Sequence, residues 1–318
     1  MKKLTILVIV LLGLISCEKE LKKKVDVSNV NISVLIERFD QKFYQANKET
    51  LPSLKKEYPY LFPVDNDSIW FSKINDTLEQ ELYKKSQDVL LNLDNEKAKI
   101  EDLFRHVKHY HSNFKEPKII TLITKLDYQN KVIYADSLLF VSLDMYLGRD
   151  NEVYEGFPLY LARNFDKEHL VVDIAEKISE KYFISSRKRQ FLDLIIDEGK
   201  KMYLLDKYLP AISDAQKMGY SEEKLEWVLL NESQLWTYFV ANKLLYSTDN
   251  QLHSRFIANA PFSKFYIDID KDSPGRVGVW LGWQIVKSYM RNNNVTLHQL
   301  LQTSAEEIFK KSKYKPKK

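Results

Sequence analysis

The spacing of apolar residues changes three times along this chain, and each change marks a different kind of segment. Leu4 to Ile15 is a nearly unbroken apolar run, preceded by Met1-Lys2-Lys3 and closed by Ser16-Cys17, after which Glu18-Lys19-Glu20 make the chain abruptly charged. A basic start, a short apolar stretch and a small residue at the cut describe a secretory leader over residues 1–16. The run is shorter than the roughly 20 residues a membrane-spanning helix needs. A cysteine directly after the small residue is the site at which a lipoprotein signal peptidase cuts, so Cys17 is predicted to carry the lipid. Residues 17–30 are polar and lysine-rich, without hydrophobic periodicity, and read as a tether of at most about 45 Å.

Residues 31–309 read as a single globular domain in two parts, and 310–318 as a basic tail. In the first part, 31–115, the pattern is helical. Leu35, Ile36, Phe39 and Phe43 recur at near-helical spacing. Pro52, Pro59 and Pro63 interrupt it, so Tyr58 to Pro63 reads as a packed aromatic loop, and helix resumes from Ser72 to about Lys108. At Lys118 the period shifts toward two. Lys118–Thr124, Lys131–Ala135 and Leu138–Leu143 are short and rich in β-branched and aromatic residues, with Gln129-Asn130 and Asp136-Ser137 as turns. They predict a small, largely antiparallel sheet. From Pro158 onward the helical period returns. One helix is predicted from Arg187 to Tyr208, ended by Pro210. A second opens at Ser221 with acids in its first turn, and a third is capped by Ser273 with Pro274 in its first turn. The fold class is α+β and predominantly helical, a small sheet followed by a helical bundle.

Composition narrows the function. The formal charge is +4. Setting aside Lys2, Lys3 and the six lysines of the tail leaves a body near −4, so no nucleic-acid partner is expected. Cys17 is the only cysteine, which rules out an internal disulfide or a cysteine-based zinc site. Only eight glycines are present, and no glycine-rich phosphate loop is among them.

The chemistry-bearing candidates are few. A sheet followed by a helix with His-Glu-x-x-His would be a zinc protease, because residues i and i+4 bring both imidazoles to one ion while the glutamate works on the bound water. The helix here reads Leu194-Ile195-Ile196-Asp197-Glu198-Gly199-Lys200-Lys201. Glu198 stands at the position of the base, and the two ligand positions hold Asp197 and Lys201. A protonated lysine has no lone pair and repels the cation, so no metal and no cofactor are expected. His106, His109 and His111 cluster without a carboxylate at helical spacing beyond Asp102, and His169, His253 and His298 stand alone. Asp268, Asp270 and Asp272 begin like a calcium loop, but Ser273 and Val279 occupy the positions that need glycine and glutamate. Gly278 and Gly282 permit close helix packing.

Five segments carry a family resemblance: SLDMYLGRD (142–150), YEGFPLYL (154–161), LIIDEGKKMYLLDKYLP (194–210), MGYSEEKLEWVLLNESQLWTYF (218–239) and PFSKFYIDIDKDSPGRVGVWLGWQIVKSYM (261–290). The chain resembles the gliding-motility lipoprotein GldB family of Bacteroidetes-type bacteria. That family is distantly similar to predicted zinc-dependent proteases, which implies that 116–309 is a degenerate zincin-like part and Asp197, Glu198 and Lys201 a degenerate motif. The resemblance implies a protein needed for gliding motility, lipid-anchored in the cell envelope at the outer membrane and facing the periplasm, beside the gliding and type IX secretion machinery. It supplies no mechanism.

On this reading the chain is no enzyme but a membrane-anchored component whose partners are other envelope proteins. Tyr154, Glu155, Asp197, Glu198, Lys201 and Trp280 are expected to line the old protease cleft as a groove, flanked by Asn259 to Phe262. The alternative is a zinc-dependent, protease-like hydrolase that uses Glu198 with ligands recruited from elsewhere.

Overall fold

The switch of period at Lys118 is where the consecutive strands begin, and a long helix behind them ties the two halves of the chain together. The computed structural model describes residues 25–183, 185 and 189–317. The leader, Cys17, the tether up to residue 24 and Lys318 lie outside the described residues. The strands are β1 (Ile36–Glu37), β2 (Lys118–Leu122), β3 (Val132–Ala135) and β4 (Leu138–Ser142). Ahead of β2 come the helices α1 (Phe39–Tyr44), α2 (Leu51–Glu57), α3 (Asp67–Ile74), α4 (Thr77–Leu90) and α5 (Asp94–Tyr110). After β4 follow α6 (Leu159–Ala162), α7 (Leu170–Tyr182), α8 (Phe191–Tyr208), α9 (Asp214–Met218) and α10 (Glu222–Ala241). The chain closes with α11 (Gln251–Phe256), α12 (Val277–Asn292), α13 (Leu297–Gln302) and α14 (Ala305–Ser312). The fold is thus α+β and mostly helical, as the periodicity predicts.

The sheet is mixed, which corrects the expectation of a largely antiparallel one. Its order is β1-β2-β4-β3. Only the β3–β4 hairpin, turned at Asp136 with φ +51°, is antiparallel; β1–β2 and β2–β4 are parallel. The buried carboxylate of Asp144 provides the physical reason. It accepts hydrogen bonds from the backbone N–H of Thr124 at 3.1 Å and of Leu126 at 2.8 Å. With Lys125 and Leu126 both in the left-handed region, the chain leaving β2 is bent away from an immediate hairpin. It pairs first with nothing, and β4 then inserts between β2 and β3. β1 also departs from expectation: Ile36 lies in the sheet instead of a helix, and α1 starts only at Phe39.

Three apolar cores follow. One face of the sheet, with Leu139 and Val141, packs on Phe104 of α5, Ile174 and Ile178 of α7 and the end of α8. The other face, with Ile120, meets an aromatic cluster of Phe39, Phe43, Tyr58, Phe62 and Trp70. Tyr58 to Pro63 therefore is the packed aromatic segment its sequence predicts, with Pro59–Leu61 as a 3-10 turn. The third core joins the first part of α8 to α10, α11 and α12. Because α8 contributes Phe191 to Met202 to this core and Leu204 to Tyr208 to the first, it is the shared element.

Glycine allows α8 and α12 to touch. A side chain on Gly199 would lie 2.3 Å from the Gly282 carbonyl oxygen, and one on Gly282 would lie 1.7 Å from that of Ile195. The start of α12 differs from the sequence expectation. Its N-cap is Arg276, at φ +62°. Ser273 is drawn away because its hydroxyl donates to the carbonyls of Asp270 and Ser263. Ser221 does cap α10, accepting from Lys224 N–H at 3.3 Å.

Candidate functional site

The helix expected to carry the chemistry is α8, whose N-terminus is fixed by a reciprocal pair between Gln190 and Asp193. Glu198 lies one turn from Lys201 and accepts a hydrogen bond from its ammonium at 2.7 Å. The Lys201 ammonium also sits 5.2 Å from the Phe183 ring centroid. Asp197 is 6% exposed and accepts from the Ser185 hydroxyl at 3.2 Å. It faces a different space, a cavity of about 380 Å³ shared with Tyr182, Lys200 and His298. Lys200 is buried there and donates to the carbonyls of Thr303 (2.7 Å) and Leu301 (3.3 Å). Burial pulls its ammonium below the ordinary lysine range, with Asp197 opposing.

A second group of titratable side chains lies along α7 and its N-cap. His169, Asp173 and Glu176 share one helical face by their spacing of four and three. Asp173 accepts from Tyr146 at 2.8 Å and from Lys131 at 2.5 Å, and the His169 Nε2 lies 3.6 Å from its other oxygen. Burial pushes His169 down to about 4, against the pull of Asp173. Burial, then repulsion from Asp173, pushes Glu176 up to about 7; Glu198 adds to the repulsion and Arg276 opposes it. Burial also drives the Tyr146 phenol well above its ordinary range. The residue before β3 thus supplies Lys131, the segment after β4 supplies Tyr146, and two helices and the cap of α12 supply the rest. Perturbed groups gathered from several elements in this way mark functional sites more often than chance. The sequence signal was present as His169 and Asp173 at i, i+4, but Lys131 and Tyr146 reach Asp173 only through the fold.

The six residues expected to form one groove are not brought together. Tyr154 is buried in the sheet core, its hydroxyl donating to the Asp144 carbonyl at 2.7 Å and accepting from Leu147 N–H at 3.0 Å. Glu155 is exposed in the following turn. Trp280 is 1% exposed in the α8–α12 core, edge-on to Trp283. Full burial is why neither ring can line a cleft. The segment Asn259 to Phe262 packs over the start of α12, where a side chain on Gly275 would lie 2.2 Å from the Ala260 carbonyl oxygen.

The remaining histidines divide. His111 accepts from or donates to the Tyr208 hydroxyl at 2.6 Å, stacks on Tyr182 at 3.6 Å and is pushed down to about 4 by burial. His106 bonds the Asp102 carbonyl within its own helix. Asp270 spends its carboxylate on the N–H groups of Phe265 and Tyr266. Among the described residues, no three His, Cys, Asp or Glu side chains are grouped to hold a metal ion, and no helix is long and apolar enough to cross a membrane.

Residues 20–316 match the model of a family described as gliding motility protein GldB. No curated protein and no solved structure matches the chain.

Proposed function

The chain belongs to the GldB family of gliding motility proteins, and from that premise we propose that it acts as a non-catalytic binding component of the gliding apparatus. The observation that carries this reading is the 2.7 Å pair between Glu198 and Lys201. A carboxylate at the position of a hydrolytic base is matched by an ammonium from the next turn of its own helix. That ammonium neutralises the carboxylate and repels a cation beside it.

The family is one of cell-envelope lipoproteins. In this proposal Cys17 carries the lipid and the body stands on the outer membrane facing the periplasm, beside the type IX secretion machinery. Two or more acyl chains make such an anchor effectively permanent. Its partners are then other envelope proteins held at the same surface, and its protease-like ancestry survives as a scaffold.

Glu176 supports a second reading. A carboxyl held near 7 is poised for general acid–base work, so a hydrolase centred between α7 and α8 is the alternative. Elemental analysis separates the two. The chain is purified without chelator, soaked with zinc and freed of excess. A metal-to-protein ratio near zero supports the binding role. A ratio near one overturns it and favours the hydrolase.

A further inference from the structure

β3 forms one edge of the sheet and is left open by the fold. Ser142 N–H donates to the Lys131 carbonyl at 2.9 Å. With the register Val132↔Val141, Ile133↔Phe140, Tyr134↔Leu139 and Ala135↔Leu138, this bond sets the phase of the ladder. Lys131, Ile133 and Ala135 spend their backbone groups on β4, so the N–H and C=O of Val132 and Tyr134 point away from it. Among the described residues, no protein group meets them. Across from this edge stands α7, and between the two lies a groove of about 470 Å³ lined by Val132, Ile133, Tyr134, Lys177, Glu180 and Lys181.

We propose that this groove docks an extended segment of a partner protein, which joins the sheet as a further strand beside β3. Two outward donors and two outward acceptors at strand spacing are complementary to a peptide backbone in the β conformation and to little else. The walls define the side chains of the segment. Ile133, 44% exposed, offers an apolar contact on one face. On the other, the Lys181 ammonium lies 4.8 Å from the Tyr134 ring centroid and has no carboxylate within ion-pair distance among the described residues. Residues facing Ile133 should therefore be apolar, and the one facing Lys181 acidic.

This inference rests on the binding role and names a partner chemistry for it, at a place separate from Glu198. The full chain in detergent micelles is used to select from a displayed library of random dodecapeptides. Selected peptides are resynthesised with N-methyl groups on alternate amides, in one phase or the other. The expected result is loss of about tenfold or more in affinity for one phase, from the broken backbone bonds, and less than about twofold for the other. Bound peptide should also slow hydrogen exchange at Val132 and Tyr134. Failure to enrich any peptide, equal effects of both phases, protection elsewhere, or self-association of the chain through β3 would each overturn the proposal. None of these outcomes touches the zinc measurement or a motility phenotype at Glu198, so the two claims fail separately.

Discussion

Asp206 of α8 holds Lys217 of α9 by a 2.8 Å ion pair in which both side chains are almost wholly buried. Its second oxygen accepts from the Trp283 indole N–H at 2.8 Å. The carboxylate thus ties α9 and α12 to the shared helix. Asp206→Ala leaves an ammonium buried without its main counter-charge, so a loss of about 3–5 kcal/mol is expected. Urea unfolding followed by tryptophan fluorescence measures it. Replacing both partners at once, with Asp206→Leu and Lys217→Met, should cost clearly less than the single change.

Gly199 and Gly282 are predicted to be intolerant of any side chain. The methyl of Gly199→Ala would press on backbone and not on a movable side chain, so α8 and α12 must separate. Overpacking of this kind costs roughly 1–3 kcal/mol and more where backbone has to shift. Thermal unfolding should show both alanine variants destabilised, and the double variant less than additive because either substitution opens the same crossing.

The pH dependence of stability has two opposed parts. His169 falls from an ordinary 6.5 to about 4 in the fold, so between these values the unfolded chain binds the extra proton. That contribution is full above about 6.5 and is lost as pH falls toward 4. Glu176 rises from 4.5 to about 7, so there the folded chain binds the extra proton. Its contribution is full below about 4.5 and is lost as pH rises through 7. Glu176→Gln removes the second part alone. The variant should gain about 1 kcal/mol over the native chain at pH 8 relative to pH 5, a figure discounted for partial solvent access. Denaturant titrations at the two pH values test this, and a gain confined to pH 5 would contradict it.

Much of this fold was legible in the residues themselves. The strands at 118–122, 132–135 and 138–142 show in β-branched and aromatic runs, and Ser221 shows as a cap because, among the described residues, its hydroxyl has no competing partner. Pairing order was not legible, since it turns on Asp144 reaching back twenty residues to Thr124. Ser273 looked like a cap equal to Ser221, but the carbonyls of Ser263 and Asp270 claim its hydroxyl. The groove expected around Tyr154 and Trp280 failed because nothing local reveals that both rings are enclosed by distant helices. Asp197, Glu198 and Lys201 were placed correctly on one helix. Their partners Ser185 and Phe183, which follow α7, become visible only once α7 lies against α8.

The Glu198–Lys201 pair itself is half-exposed and should contribute little stability, about 0.5 kcal/mol or less. Lys201→Ala is expected to leave the unfolding midpoint nearly unchanged. Zinc content should also stay near zero in this variant, which has lost the repelling ammonium, because two donors at most remain close together. A stoichiometric ion appearing in Lys201→Ala would contradict this.

The most direct test of the central claim is the spreading rate of cells whose only copy of this gene encodes Glu198→Gln. The substitution keeps shape and hydrogen-bonding capacity while removing the base. With the variant present at normal abundance in the envelope, a non-catalytic binding role predicts gliding at the native rate. Gliding abolished under the same conditions would contradict that role and make Glu198 a working base.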